Sequence, residues 1–251
     1  MTQVTNRLGN QNIVELAKKQ YETQKRSKLP SVIVNLPSYG KVYPEEHALR
    51  SGQVEMRYMT AYDEDILTNT SYIREGVVFD KLLESIIVTP VSISEITTAD
   101  KDCLIINARI LAYGEEYPVK VADPKTKNML SRVVNLKQLK FKPFDLLADD
   151  NGEFDYEFES TKLKFIYLNK DISNLTISEF LLDTIKEVNG TRDTEQIREF
   201  IRYEFLARDA KQFRQYVTDN TPGLDMMYEF EGEDGGTFSA VFPIGPDLFW
   251  F

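Results

Sequence analysis

Two turn signatures, each set between short runs of strand composition, constrain this fold more than any other feature of the sequence. Asp123-Pro124-Lys125-Thr126-Lys127-Asn128 separates Tyr117-Pro118-Val119-Lys120-Val121 from Arg132-Val133-Val134-Asn135-Leu136. Glu233-Asp234-Gly235-Gly236 separates Met227-Tyr228-Glu229-Phe230 from Phe238-Ser239-Ala240-Val241-Phe242. Asp, Asn, Pro and Gly adopt or preset the backbone angles of a tight reversal, so both stretches read as β-hairpins. Each hairpin closes a longer succession of strand and helix signals.

In the first half, Ser31 to Leu36 has strand composition, Pro37-Ser38-Tyr39-Gly40 is turn chemistry, and Val54 to Met59 alternates apolar and polar residues. Thr60, followed by Asp63 and Glu64, marks a helix start, with Ile66 and Leu67 as its apolar side. Helices over Val77 to Val88 and Thr98 to Tyr113 follow, the second stopping at Gly114. In the second half, strands are expected at Phe154 to Phe158 and Leu163 to Leu168. A helix within Ser173 to Val188 carries Leu175, Phe180, Leu181 and Ile185. A longer helix with Ile197, Phe200, Ile201 and Phe205 starts at Asp193 or Thr194, Asp209 caps another bearing Phe213 and Val217, and Pro222-Gly223 ends it.

The order strand, helices, hairpin therefore occurs twice, with almost no residue identity between the copies. The expected fold class is α+β with two lobes, residues 30–146 and 147–251, joined near Leu146 to Gly152. Residues 1–29 differ in texture. Ile13, Val14, Leu16, Ala17 and Tyr21 recur at helical spacing among Lys18, Lys19, Lys25, Arg26 and Lys28, which describes an amphipathic arm. It reads either as a terminal helix lying on its own domain or as a docking helix for an acidic partner.

Acidic side chains outnumber basic ones 40 to 30, giving a formal charge of −10. That field repels nucleic acid and anionic membrane surfaces, so neither is an expected partner. No apolar run nears the roughly 20 residues that a membrane span needs. A single cysteine, Cys103, excludes an internal disulfide, and the absence of a charged-then-apolar leader suits a reducing cytoplasm.

Candidates for chemistry are few. His47, the sole histidine, follows Glu45 and Glu46 and reads as a solvated loop residue; a hydrolase would have to use it with Asp63 or Glu64. Cys103 falls inside a helix, where a buried inert thiol is expected. The acids from Asp145 through Asp149, Asp150, Glu153, Asp155 and Glu157 to Glu159 lack calcium-loop spacing and read as a solvated linker and exposed strand face. No catalytic residue, metal ligand or cofactor is expected, and no glycine-rich phosphate loop is present.

The chain closes on Pro243-Ile244-Gly245-Pro246-Asp247-Leu248-Phe249-Trp250-Phe251. Full burial of a large apolar side chain is worth roughly 1.5–3 kcal/mol, so such an end either completes the protein's own core or docks on a partner. Phe242, Leu248, Phe249, Trp250 and Phe251 are the candidate partner-binding residues.

Leu36-Pro37-Ser38-Tyr39-Gly40-Lys41-Val42-Tyr43, then Met59-Thr60 before Asp63-Glu64-Asp65-Ile66-Leu67, resembles the opening of baseplate hub and tail-assembly proteins of T-even-like contractile-tailed bacteriophages. Leu206-Ala207-Arg208-Asp209-Ala210 with Arg214, Pro222-Gly223-Leu224-Asp225 and the closing Asp247-Leu248-Phe249-Trp250 extend the resemblance over most of the chain from Leu36. The resemblance implies a non-enzymatic, chaperone-like assembly factor of the central baseplate hub, acting on hub or tape-measure proteins in the host cytoplasm. A permanent structural subunit of the virion baseplate hub is the alternative. Many relatives carry a zinc-ribbon-like C-x-x-C pair in the hairpin turns. Here the turns hold no cysteine, so a degenerate, metal-free version held by packing alone is expected.

Overall fold

A computed structural model describes residues 29–170, 172–241 and 246–249; the arm, apart from Leu29, lies outside them. The described chain is mixed α+β, with four small antiparallel sheets and seven α-helices among the described residues.

β1 (Ser31–Asn35) pairs with β2 (Gln53–Arg57) so that Val34 faces Val54 and Val32 faces Met56, which puts the alternating apolar residues on one face. The loop between them reverses at Tyr39 and Gly40, both at positive φ. A Cβ on Gly40 would sit 2.3 Å from the Arg50 carbonyl oxygen, so the turn requires glycine.

α1 (Ala61–Leu67) starts as the sequence predicts, with the Asp63 carboxylate accepting the Thr60 N–H at 2.7 Å. α2 (Thr70–Glu75) is an additional short helix, capped by Asn69 and stopped by Gly76 in the left-handed region. α3 (Val78–Ile86) follows. α4 spans Thr98–Tyr113 with the expected bounds and is buried nearly all round from Cys103 to Arg109, which makes it the central helix.

β3 (Glu116–Ala122) and β4 (Met129–Asn135) form the first predicted hairpin, and β8 (Met227–Glu231) and β9 (Thr237–Val241) the second. Their turns meet. Asp123 Oδ2 accepts the Glu233 N–H at 3.1 Å, Lys125 Nζ pairs with Asp234 at 2.6 Å, and Asn128 donates to the Glu233 carboxylate at 3.0 Å. The Arg132 guanidinium also donates to the Glu231 carbonyl at 2.6 Å. The sequence expectation named packing alone; the structure adds largely solvent-exposed polar contacts between the two turns, one ion pair among them.

β5 (Phe154–Phe158), β6 (Thr161–Phe165) and β7 (Ile185–Val188) make a three-stranded sheet. Here the structure corrects the helix expected up to Val188. α5 spans Ile177–Thr184, and Ile185 and Val188 pair with Phe165 and Leu163 instead. Both are β-branched and buried at the two ends of the strand, a pattern that a helical reading absorbs without conflict. α6 (Thr194–Glu199) is capped by Asp193 and runs into a π-helical turn at Phe200–Glu204. α7 (Ala207–Asp219) begins before Asp209, so that residue is a first-turn acid rather than its cap.

An aromatic ring links the second half to the first: Phe144 packs edge-on against Phe154 at 5.7 Å and Tyr167 at 5.8 Å. Within the second half Phe165 meets Phe213 at 5.5 Å. A bridge between Phe141 and Leu224 brings residues 140–142 alongside 223–225, with the Lys142 N–H on the Gly223 carbonyl at 2.8 Å. Among the described residues no helix is long and apolar enough to cross a membrane.

Candidate partner-binding site

Residues from both halves line a cleft of about 360 Å³. One wall is the start of α4, with Thr97, Thr98 and Asp102; the other is formed by Ile166 to Leu168 after β6, Phe180 and Thr184 of α5, Val217 of α7, and Pro222 to Leu224. Thr98 ties the walls together, its N–H on the Leu168 carbonyl and its hydroxyl on the Lys170 carbonyl at 3.3 Å.

Most of the lining is apolar side chain. Asp102 is open to the cleft's water but surrounded by enough protein that burial raises its carboxyl to about 6, with the Lys101 charge opposing. No hydrogen bond reaches it among the described residues. Thr184, in the far wall, carries a buried hydroxyl with no partner among the described residues. Apolar walls with the Asp102 carboxyl, the Lys142 and Lys170 side chains and one orphan hydroxyl suit the capture of a side chain or peptide segment. Sequence reasoning missed this site because its members run from Thr97 to Met226, and none carries a local motif.

Of the five predicted partner-binding residues, Phe242, Trp250 and Phe251 lie outside the described residues. Leu248 and Phe249 are buried, and the Phe249 ring packs on Phe79 of α3 at 6.0 Å and Tyr113 of α4 at 6.4 Å. Their anchor is Arg109, fully buried in α4. Its Nε donates to the Leu248 carbonyl at 2.8 Å, and its Nη atoms donate to the Gly114 and Glu116 carbonyls at 3.0 and 3.3 Å. The guanidinium also lies over the Tyr113 ring at 5.2 Å. Arginine amid Leu104-Ile105-Ile106 and Ile110-Leu111 was the one sequence signal for such an anchor.

The other chemical candidates are engaged in structure. His47 stacks on Tyr43 with ring centroids 4.8 Å apart, and its Nδ1 accepts the Leu49 N–H at 3.2 Å, whereas Asp63 is bound by Arg57 and Ser85. Cys103 is buried, and burial first, with the Asp100 charge, pushes its thiol up to about 12. The acidic run is not wholly solvated. Asp149 accepts Lys164 at 2.9 Å and the N–H groups of Asn151 and Glu153, and the nearly buried Glu153 takes both Arg192 nitrogens at 2.9 and 2.7 Å. Among the described residues, no group of three or more His, Cys, Asp or Glu side chains gathers as metal ligands do.

A family model described as T4 bacteriophage base plate protein matches residues 29–222. No curated protein and no solved structure matches the chain. The matched span holds β1 to α7 and most of the cleft, while β8, β9 and residues 246–249 lie beyond it.

Proposed function

Since the chain belongs to the T4 bacteriophage base plate protein family, we propose that its baseplate role is that of a hub assembly factor, chaperone-like and without a reaction of its own. The observation that carries this reading is the apolar cleft, most of which lies inside the family-matched span, with its unsatisfied Thr184 hydroxyl. Such a wall offers contact area, and the acids elsewhere that could do chemistry hold the fold together. Its partners on this reading are hub or tape-measure proteins, met in the host cytoplasm during assembly. The facing hairpin turns are, on the same reading, a metal-free counterpart of a zinc ribbon, with one ion pair and side-chain hydrogen bonds where thiolates would stand.

The test is a pull-down from infected cells with wild-type protein and with Leu224→Glu, which places charge in the cleft wall, joined to mass spectrometry of mature tails. Capture of a hub or tape-measure protein by the wild type, its loss with Leu224→Glu, and absence of the chain from mature tails are the expected results. A constant copy number in mature tails makes the chain a permanent subunit instead. Loss of phage growth in His47→Ala, with folding intact, would sink the non-enzymatic reading.

A further inference from the structure

The cleft continues past Phe180. Ile172, Thr176 and Ile177, with Arg214 and Thr218 of α7, line a second, more open hollow of about 210 Å³, and Ile172 and Phe180 belong to both linings. The two are adjoining parts of one trough that meet at Phe180. Its long walls are two helix faces. On α5, Ile177, Phe180 and Thr184 stand three and four positions apart, and on α7 and just beyond it Arg214, Val217, Thr218 and Thr221 repeat that spacing. Ile177 and Arg214 head their rows at the open end, while Thr184 and Thr221 close them in the cleft. Each wall therefore runs for two turns, about 10 Å along its axis.

The open end leaves large apolar side chains in water, Ile172 at 50% exposure and Ile177 at 53%. The polar groups differ between the ends. In the cleft both signs are present, Asp102 beside Lys142 and Lys170, with Lys170 paired to Asp183 at 2.7 Å, so this end does not select the charge of a guest. What it leaves unmet is the Thr184 hydroxyl, buried and without a partner among the described residues. At the open end Arg214 is the one charged residue in the lining among the described residues. Its Nε donates to the Ala210 carbonyl at 3.3 Å, and no ion pair reaches it among the described residues. A half-buried guanidinium with spare N–H groups beside apolar side chains is a seat for a carboxylate.

We propose that the trough takes one amphipathic helix of a partner protein, with apolar side chains a turn apart on either side of Phe180 and an acidic side chain within the next turn on Arg214. This rests on the reading of the cleft as a partner site, and adds the form and charge of the guest. A helix laid between two helix walls presents its own positions i, i+3 or i+4 and i+7 to them. A polar side chain at its other end meets the Thr184 hydroxyl.

A displayed library of random peptides about 16 residues long, enough for four turns, selected on the full wild-type chain, tests this. Ile177→Asp, Arg214→Glu and Leu224→Glu are the comparison targets, each checked by its melting curve; Arg214→Gln replaces Arg214→Glu if that variant melts early. The expected result is enrichment of sequences with apolar residues at helical spacing followed within a turn by Asp or Glu. Their synthetic forms should bind Arg214→Glu about tenfold more weakly, and recover when the acid is replaced by Lys; on Arg214→Gln the advantage of the acid over Lys should vanish. Apolar residues at alternate positions, no acid, indifference to both Ile177→Asp and the Arg214 variant, or no enrichment at all overturns the proposal. So does self-association of the wild type, seen in sedimentation and lost with Ile177→Asp, because a second copy is then the guest. The cleft reading is judged separately. Capture from infected cells that is lost with Leu224→Glu but kept with Ile177→Asp and the Arg214 variant leaves the cleft as the contact and sinks only the helix across Phe180, whereas capture kept in all three sinks both.

Discussion

Asp63 and Asp100 are both fully buried in the first half, yet the protein treats them in opposite ways. Asp63 draws β2, α1 and α3 together: Arg57 donates to its two oxygens at 2.8 and 2.9 Å, Ser85 at 2.7 Å, and the Thr60 N–H at 2.7 Å. Asp100 joins the β1–β2 loop to α4 through neutral donors alone: the Ser38 N–H and hydroxyl at 3.2 and 2.8 Å, Tyr43 at 2.6 Å and Thr97 at 3.1 Å. Burial pushes both carboxyls up. The guanidinium and hydrogen bonds reverse this at Asp63, which lies below its ordinary value, while at Asp100 the hydroxyls leave the burial effect in charge and the carboxyl stays raised. At Asp63 the cation and hydrogen bonds outweigh burial, and at Asp100 the hydroxyl and backbone donors do not.

The largest effect that would break this comparison is removal of the cation. Arg57→Met leaves Asp63 buried and uncompensated, and urea unfolding should show a loss of about 3–5 kcal/mol. Adding Asp63→Leu should restore most of it, since an apolar pair no longer carries a stranded charge. Asp100→Asn should cost less, about 1–3 kcal/mol by the same measurement, because a neutral acceptor still serves some of the donors. Tyr43→Phe removes one of those donors and should cost about 1 kcal/mol.

The pH dependence sharpens the contrast through its sign. Asp63 is depressed from 3.8, so its contribution is present above that pH and is lost as pH falls through the folded value. Asp100 is raised from 3.8, so the unfolded chain gives up its proton first and stability falls as pH rises above 3.8 towards the folded value. Thermal melts in acid should show Asp63→Asn flattening the acid loss and Asp100→Asn steepening it; the same slope in both variants would refute the assignment. The smallest effect belongs to Lys125→Ala. Its ion pair with Asp234 is exposed to solvent, and the melting temperature should stay where it is.

Much of this was legible locally. The hairpin turns, the bounds of α4, and the Thr60–Asp63 cap follow from residue types within a few positions of one another. The helix expected through Ile185 shows where local reading stops. Apolar spacing there fits helix or strand, and pairing with β6, 20 to 25 positions earlier, decided for strand. The resemblance carried by Leu36 to Tyr43 has a physical counterpart, because Ser38 and Tyr43 are two of the residues that hold Asp100.

By itself the sequence determined the α+β class, the two hairpins and the helix over Thr98–Tyr113. Those depend on backbone preference and on apolar spacing, which act over a few residues. The tertiary structure alone decided that Arg109 would hold the Leu248 carbonyl 139 positions away, that the two turns would meet, and that Thr97 to Asp102 would face Thr184 across a cleft. Partners that far apart are chosen by how whole elements pack and by what each buried charge and donor must find there, and no short stretch of chain carries that information.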